Sequence, residues 1–335
     1  MDHDTPLLDI DDLTVDYRTR DATVRAVTSL SLQLAEGEAV GVVGESGSGK
    51  STVANALMRL LPANARVTRG SIRYLGRDLL QAGEKDMQSI RGGQIALVGQ
   101  DPMTALNPVM TIGRQISEAL RAHGGHGGQQ ERDRVHELLE MVRLPSPGVV
   151  AKRYPHQLSG GQRQRVAIAL AVSCSPRLLI ADEPTTALDV SIQDQILRLL
   201  GRLRSTLGMA VVVISHNLGV VSALADRVVI MYRSHPVETG PTPAVLHDPR
   251  HPYSRGLVGA IPDLWNRDRS RLTPIDGHQA TLLGDEDECS FADRCAHVQQ
   301  ICRSHRPALE TYAPDRAAAC ARLDAVRAAV ATKDR

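Results

Sequence analysis

Ala39-Val-Gly-Val-Val43, followed by Gly44-Glu-Ser-Gly-Ser-Gly-Lys50-Ser51-Thr52, decides the fold class. The first five residues are an apolar run short enough for a buried central strand. A helical pattern begins near Lys50 and continues to about Leu61, stopping before Pro62. Strand, glycine-rich loop and helix in this order form a phosphate-binding P-loop. Gly44, Gly47 and Gly49 let backbone N–H groups turn inward around phosphate oxygens, with Ser46 between them. The helix N-terminus adds a favourable dipole. Lys50 brings a positive charge to the β- and γ-phosphates, and the Ser51 hydroxyl can ligate Mg²⁺ beside Thr52. An ordinary Gly/Ser loop would not need the flanking strand and helix.

Outward from the loop, apolar runs at Leu178-Leu-Ile-Ala181, Ala210-Val-Val-Val-Ile214 and Arg227-Val-Val-Ile-Met231 alternate with helical stretches. That alternation predicts a mostly parallel α/β sheet. Residues 7–43 and 66–98 read as strands and turns. Residues from about 111 to 175 show helical spacing, as in Ile112, Ile116, Ala119 and Leu120, and read as an inserted helical subdomain. After about residue 245, prolines, an acidic run (Asp285-Glu-Asp-Glu288) and four cysteines mark a small appended domain, with an Ala-rich helical tail expected from about Asp315.

Composition narrows the function classes. The 335 residues carry 39 Lys and Arg against 38 Asp and Glu, so no global basic field favours nucleic acid. With one Phe, one Trp and six Tyr, the core must be aliphatic, and a base-stacking platform is hard to assemble. The most apolar stretch, around Val166 to Ala181, is broken by Ser173, Ser175, Pro176 and Arg177 and falls short of the ~18–20 residues a membrane helix needs. Met1-Asp2-His3-Asp4 is acidic, without the features of a secretory signal, which sets the expectation of a cytoplasmic protein.

Two further segments carry chemistry. Asp182-Glu183 ends an apolar strand; beside a bound nucleotide, Asp182 suits the Mg²⁺ shell and Glu183 suits the attacking water. Leu158-Ser-Gly-Gly-Gln162 opens a helix, where Ser159, Gly160, Gly161 and Gln162 are either a second phosphate cradle or a plain N-cap.

These motifs, in this order, resemble the ATPase subunit of an ABC transporter, and the match covers nearly the whole chain. Leu158 to Gln162 is similar to the family signature, Gln100 to the Q-loop, Ala187-Leu-Asp189 to the D-loop and His216 to the switch histidine. Tyr17 lies where the adenine-stacking aromatic usually sits. Individually, Tyr17 could be a strand aromatic, His216 a surface histidine, Asp189 a helix N-cap and Gln100 a loop residue. The resemblance implies a P-loop ABC ATPase domain over 5–245, with an antiparallel β subdomain and a helical subdomain at about 111–175. It implies ATP on Lys50, Ser51 and Tyr17, and Mg²⁺ held by Ser51, Gln100 and Asp182. It further implies catalysis by Glu183 with His216 and Gln100, and closure by Ser159, Gly160, Gly161, Gln162 and Asp189 of a facing subunit.

A finer resemblance comes from Gln100-Asp-Pro-Met-Thr-Ala-Leu-Asn-Pro108, Tyr154-Pro-His156, Leu218-Gly-Val-Val221 and His251-Pro-Tyr253. These, with Ala181-Asp-Glu-Pro-Thr-Thr-Ala-Leu-Asp-Val190, are similar to the oligopeptide/dipeptide importer branch, which includes nickel importers. Cys289-x5-Cys295-x6-Cys302-x17-Cys320 is similar to that branch's C-terminal domain, here 246–335, where four cysteines can hold a [4Fe-4S] cluster. Four thiolates also suit Zn²⁺, and the spacing does not choose between these and unligated thiols. Cys174 reads as core packing. The implied partners are a second ATPase subunit, identical or not, two membrane permease subunits and an extracytoplasmic binding protein, with this chain on the cytoplasmic face of the membrane. A soluble ATPase acting on ribosomes or DNA, and a redox regulator with an idle ATPase site, are the rival readings. Four departures stand out against the branch: Gly99 for an aromatic, Asn217 for Asp, Arg233-Ser-His-Pro236 for an Ala-Gly turn, and the acidic run at 285–288 for a Pro/Gly-rich lead-in.

Overall fold

A computed structural model describes residues 5–125, 127–186, 188–260, 275 and 287–324. Strands β1 (Leu8–Arg18), β2 (Thr23–Leu34), β4 (Ala65–Tyr74) and β5 (Arg77–Asp78) form an antiparallel sheet in the order β2-β1-β4-β5. The larger sheet contains β3 (Ala39–Val43), β6 (Ile95–Val98), β7 (Leu178–Asp182), β8 (Ala210–Ser215), β9 (Arg227–Tyr232), β10 (His235–Pro241), β11 (Glu310–Ala313) and β12 (Arg316–Ala318). Its order is β11-β12-β10-β9-β3-β8-β7-β6. The pairs from β9 through β6 are parallel; β10, β12 and β11 add on antiparallel.

The parallel strands are apolar on both faces because both faces are covered. Val40, Val42, Val212 and Ile214 point toward the P-loop helix and the antiparallel sheet. Val43, Val211, Val213, Leu179 and Ala181 point toward the helical subdomain. The alternation within one strand is the period-2 pleat dividing one apolar run between two cores. Gly41 is required by closeness: a Cβ there would lie 2.0 Å from Val221 Cγ1.

The helical subdomain is built from helices Ile112–Ala122, Gln129–Met141, Pro147–Val150 and Gly160–Ala171. Ile112, Ile116, Val135, Leu138, Leu139 and Val166 fill its core, at the i, i+3, i+4 spacing read from the sequence. Cys174 is half-buried, its thiol 3.7 Å from the Ala119 carbonyl, in keeping with packing.

The C-terminal segment differs from expectation at one point. Asp315 has φ +56, and Arg316–Ala318 is a strand instead of the start of a helix. Alanine favours helix only weakly against tertiary pairing, and here Ala317 and Ala318 pair with Thr239 and Glu238 of β10. Ala187, Asp285, Glu286 and the tail beyond Asp324 lie outside the described residues. The Arg233-Ser234 turn between β9 and β10 has φ +43 and +70, a hairpin geometry that usually takes glycine or asparagine. Tertiary bonds hold it: Ser234 donates to the Arg25 carbonyl at 2.6 Å, and its own carbonyl accepts from Thr28 N–H at 2.8 Å.

Candidate nucleotide and catalytic site

Three loops at the C-terminal ends of β3, β7 and β8 converge, the usual location of a site in a parallel sheet. Gly49 closes the P-loop at φ +96, and a Cβ there would lie 1.9 Å from the Ala26 carbonyl oxygen; no other residue fits. Gly47, at φ +78, has nothing within 4 Å of a Cβ position, so that side of the loop is open. Lys50 is buried, and its ammonium donates to the carbonyls of Gly44 and Glu45, both at 2.8 Å. Burial lowers its pKa, opposed by the charges of Glu183, Asp182 and Glu45. Tyr17 on β1 reaches the P-loop helix, with its hydroxyl 3.3 Å from Thr52 Oγ1.

Asp182 is the last residue of β7, buried, and hydrogen-bonded by Ser51. Its Oδ1 is buried with no hydrogen-bond partner. Burial raises its pKa, against the Ser51 bond and the Lys50 charge. An orphaned carboxylate oxygen beside a serine hydroxyl fits a Mg²⁺ shell, since a cation would satisfy the oxygen and reverse the cost of burying it.

Glu183 follows in the left-handed region, φ +50, which turns its side chain away from the strand into the loops. There it is shared among three elements. His216 Nδ1 lies 3.0 Å from Oε1, Gln100 Nε2 donates to Oε2 at 3.2 Å, and Thr186 Oγ1 donates to Oε2 at 2.8 Å. Burial pushes its pKa up, but the bonds from His216 and Thr186 and the charges of His216 and Lys50 outweigh this. The net shift is downward, so Glu183 is an ionised acceptor at neutral pH.

The sequence named Gln100, Glu183 and His216 from positions 83 and 33 residues apart, and the structure brings them together. Thr186, inside the stretch Ala181–Val190, has no role of its own in the sequence; it lies three residues after Glu183, in the turn between strand and helix. Ser159 to Gln162 stand apart from this constellation. Ser159 accepts from Gln162 N–H at 3.3 Å, while the Gln162 side chain accepts from Ser159 N–H at 3.1 Å. This capping box sets an exposed Ser159 and half-buried Gly160 and Gly161 at the start of helix Gly160–Ala171. Asp189 occupies the N-cap position of helix Val190–Leu207 but its side chain makes no cap bond, so capping does not account for it. Asn217 does cap: its side chain accepts from Gly219 N–H at 2.8 Å. Gly99 has open space around it, so its departure from an aromatic leaves no steric conflict.

Comparison with known proteins places the chain in a family. Residues 27–186 match the ABC transporter family, and residues 237–302 match the oligopeptide/dipeptide transporter C-terminal region. The oligopeptide transport ATP-binding protein OppD of Salmonella typhimurium is 44% identical, covering 94% of this chain and 93% of that one. The chain belongs to the ABC transporter ATP-binding family. The dipeptide transport ATP-binding protein DppD of Escherichia coli is 42% identical over 94% of this chain and 96% of its own length. Among solved structures, a dimeric ATP-binding cassette in a post-hydrolysis state with ADP and Pi superposes with TM-score 0.63 at 30% identity, covering 70% of this chain and 98% of that one. This ABC ATPase binds and hydrolyses ATP in coupling to transport.

The four C-terminal cysteines line one small cavity with His251, Phe291 and His297. No disulfide joins them. Burial raises the thiol pKa of Cys289 to about 11 and also raises those of Cys295 and Cys320, and mutual repulsion adds to each. Among the described residues, no three His, Cys, Asp or Glu side chains are gathered into a metal-holding set. No described helix is long and apolar enough to cross a membrane.

Proposed function

We propose that this chain is the motor subunit of a peptide importer. The observation that carries the reading is the match of residues 237–302 to the oligopeptide/dipeptide transporter C-terminal region; relatives named for oligopeptide and dipeptide transport support it. In this reading residues 5–245 are the nucleotide-binding domain and 246–335 the appended domain. Gly44, Ser46, Gly47, Gly49, Lys50, Ser51 and Thr52 hold the phosphates and Tyr17 the adenine. Ser51, Gln100 and Asp182 would hold Mg²⁺, which would supply charge neutralisation at the phosphates. Glu183, kept ionised, accepts a proton from the water that attacks the γ-phosphorus, and the bridging β–γ oxygen departs with ADP. His216 fixes the Glu183 carboxylate and contacts the γ-phosphate. Ser159, Gly160 and Gly161, with Gln162 and Asp189, serve the nucleotide of a second ATPase subunit across a dimer. Two membrane permeases receive the motion at the cytoplasmic face, and an extracytoplasmic binding protein delivers the peptide. Deleting the gene should abolish uptake of a labelled peptide, with restoration by wild type and not by Glu183→Gln. Uptake unchanged by deletion would overturn the peptide reading while leaving the ATPase intact.

Cys289, Cys295, Cys302 and Cys320 are proposed to hold a [4Fe-4S] cluster. Four soft donors on one cavity, costly to ionise without a cation, support it. Anaerobically purified protein should carry iron and acid-labile sulfide in equal amounts, about four of each per chain. Zinc, or neither metal, would overturn the cluster.

A further inference from the structure

The P-loop carries an acidic residue, Glu45, next to where phosphates bind. A carboxylate there repels a polyanion, so something must offset it. Arg294, from the far end of the chain, donates through Nη1 to both Glu45 oxygens, at 3.1 and 2.9 Å. Its side chain is 7% exposed and that of Glu45 28%, so the pair is partly shielded from water. A second bond ties the same residue: Glu45 N–H donates to the Tyr253 hydroxyl at 3.0 Å. The Glu45 carbonyl in turn accepts from the Lys50 ammonium, so the strut reaches the phosphate-binding lysine in one step.

The strut is rigidly mounted. Arg294 Nη2 donates to the Ile275 carbonyl at 2.9 Å, and its guanidinium lies 5.7 Å from the Tyr232 ring centre. Tyr232, Tyr253 and Phe291 pack with centroids 4.5–5.5 Å apart. A chain with only eight Phe, Trp and Tyr residues spends three of them at this joint. Arg294 closes the short 3₁₀ turn Ala292–Arg294, and the next residue is Cys295.

We infer that Arg294 is a positioning residue that neutralises Glu45 and holds the P-loop, so that the cysteine-bearing segment sets the affinity of the chain for ATP. The inference rests on the assignment of Gly44–Ser51 as the ATP site. Any change that shifts the 289–295 turn moves Arg294 and is read at the phosphates, and by linkage ATP stabilises that turn.

The test is ATP titration by calorimetry on the purified full chain, with thermal unfolding in parallel. Arg294→Ala should weaken ATP binding roughly tenfold, equivalent to about 1.4 kcal/mol. KM for ATP should rise while kcat stays near wild type, because Gln100, Glu183, Thr186 and His216 are untouched. Adding Glu45→Gln to Arg294→Ala should recover most of the affinity, because the repelling charge is gone; a purely structural contact would give no recovery. Glu45→Gln alone should bind ATP at least as tightly as wild type, and this variant decides the matter if Arg294→Ala unfolds. Unchanged affinity in Arg294→Ala, no recovery in the double variant, or several-fold loss in Glu45→Gln alone would each overturn the inference. A wild-type chain that fails to bind ATP would instead remove the P-loop assignment beneath it, and the inference with it.

Discussion

Glu183→Gln should lower ATP turnover by about 10²- to 10⁴-fold, the range for removing a positioned general base, while ATP binding persists. The structure gives the reason for both halves. Glu183 is held ionised by several partners, with His216, Gln100 and Thr186 converging on its two oxygens. Glutamine keeps the shape and can still accept at one oxygen, so the loops need not move. The P-loop, which binds the phosphates, does not depend on Glu183 for its hydrogen bonds. Pre-steady-state phosphate release and an ATP titration on the same preparation measure the two effects. Turnover within a few-fold of wild type would remove Glu183 as the base.

Lys50→Ala should have the larger effect on binding. Truncating one member of a buried charged contact costs about 2–5 kcal/mol, or roughly 30-fold to several-thousand-fold in Kd, and turnover should vanish with it. The loss has two sources. The phosphates lose a cation from a buried position, and the carbonyls of Gly44 and Glu45 lose the donor that gathers them. A Tm for Lys50→Ala close to that of wild type would assign the loss to the phosphates, and a depressed one would assign part of it to the loop. Unchanged ATP affinity would withdraw the P-loop reading.

What the sequence made legible was whatever local pattern encodes. The run Ala39–Val43 and its glycines announce strand, loop and helix, because a buried parallel strand must be continuously apolar and a phosphate cradle must be free of side chains. Asp182 and Glu183 were visible as the carboxylates ending another such run. The Arg294–Glu45 pair was not, since its members lie 249 residues apart and no spacing rule links them. His251-Pro-Tyr253 stood out in the sequence only as a resemblance. Its role, the Tyr253 hydroxyl receiving the Glu45 amide, exists only once the C-terminal segment folds back. Ala317 and Ala318 misled because alanine composition speaks for helix, and only the exposed flank of β10 made them strand.

That flank has a practical bearing. The ladder of β10 is completed by β12, with Glu238 opposite Ala318, and the Glu238 carboxylate, wholly buried, accepts from the amides of Arg250 and His251. A polypeptide ending near residue 245 would therefore expose a raw sheet margin and an unshielded buried acid together. Unpaired margins recruit other chains. A chain cut near residue 245 is therefore expected to self-associate more than the full chain, as size-exclusion chromatography would read.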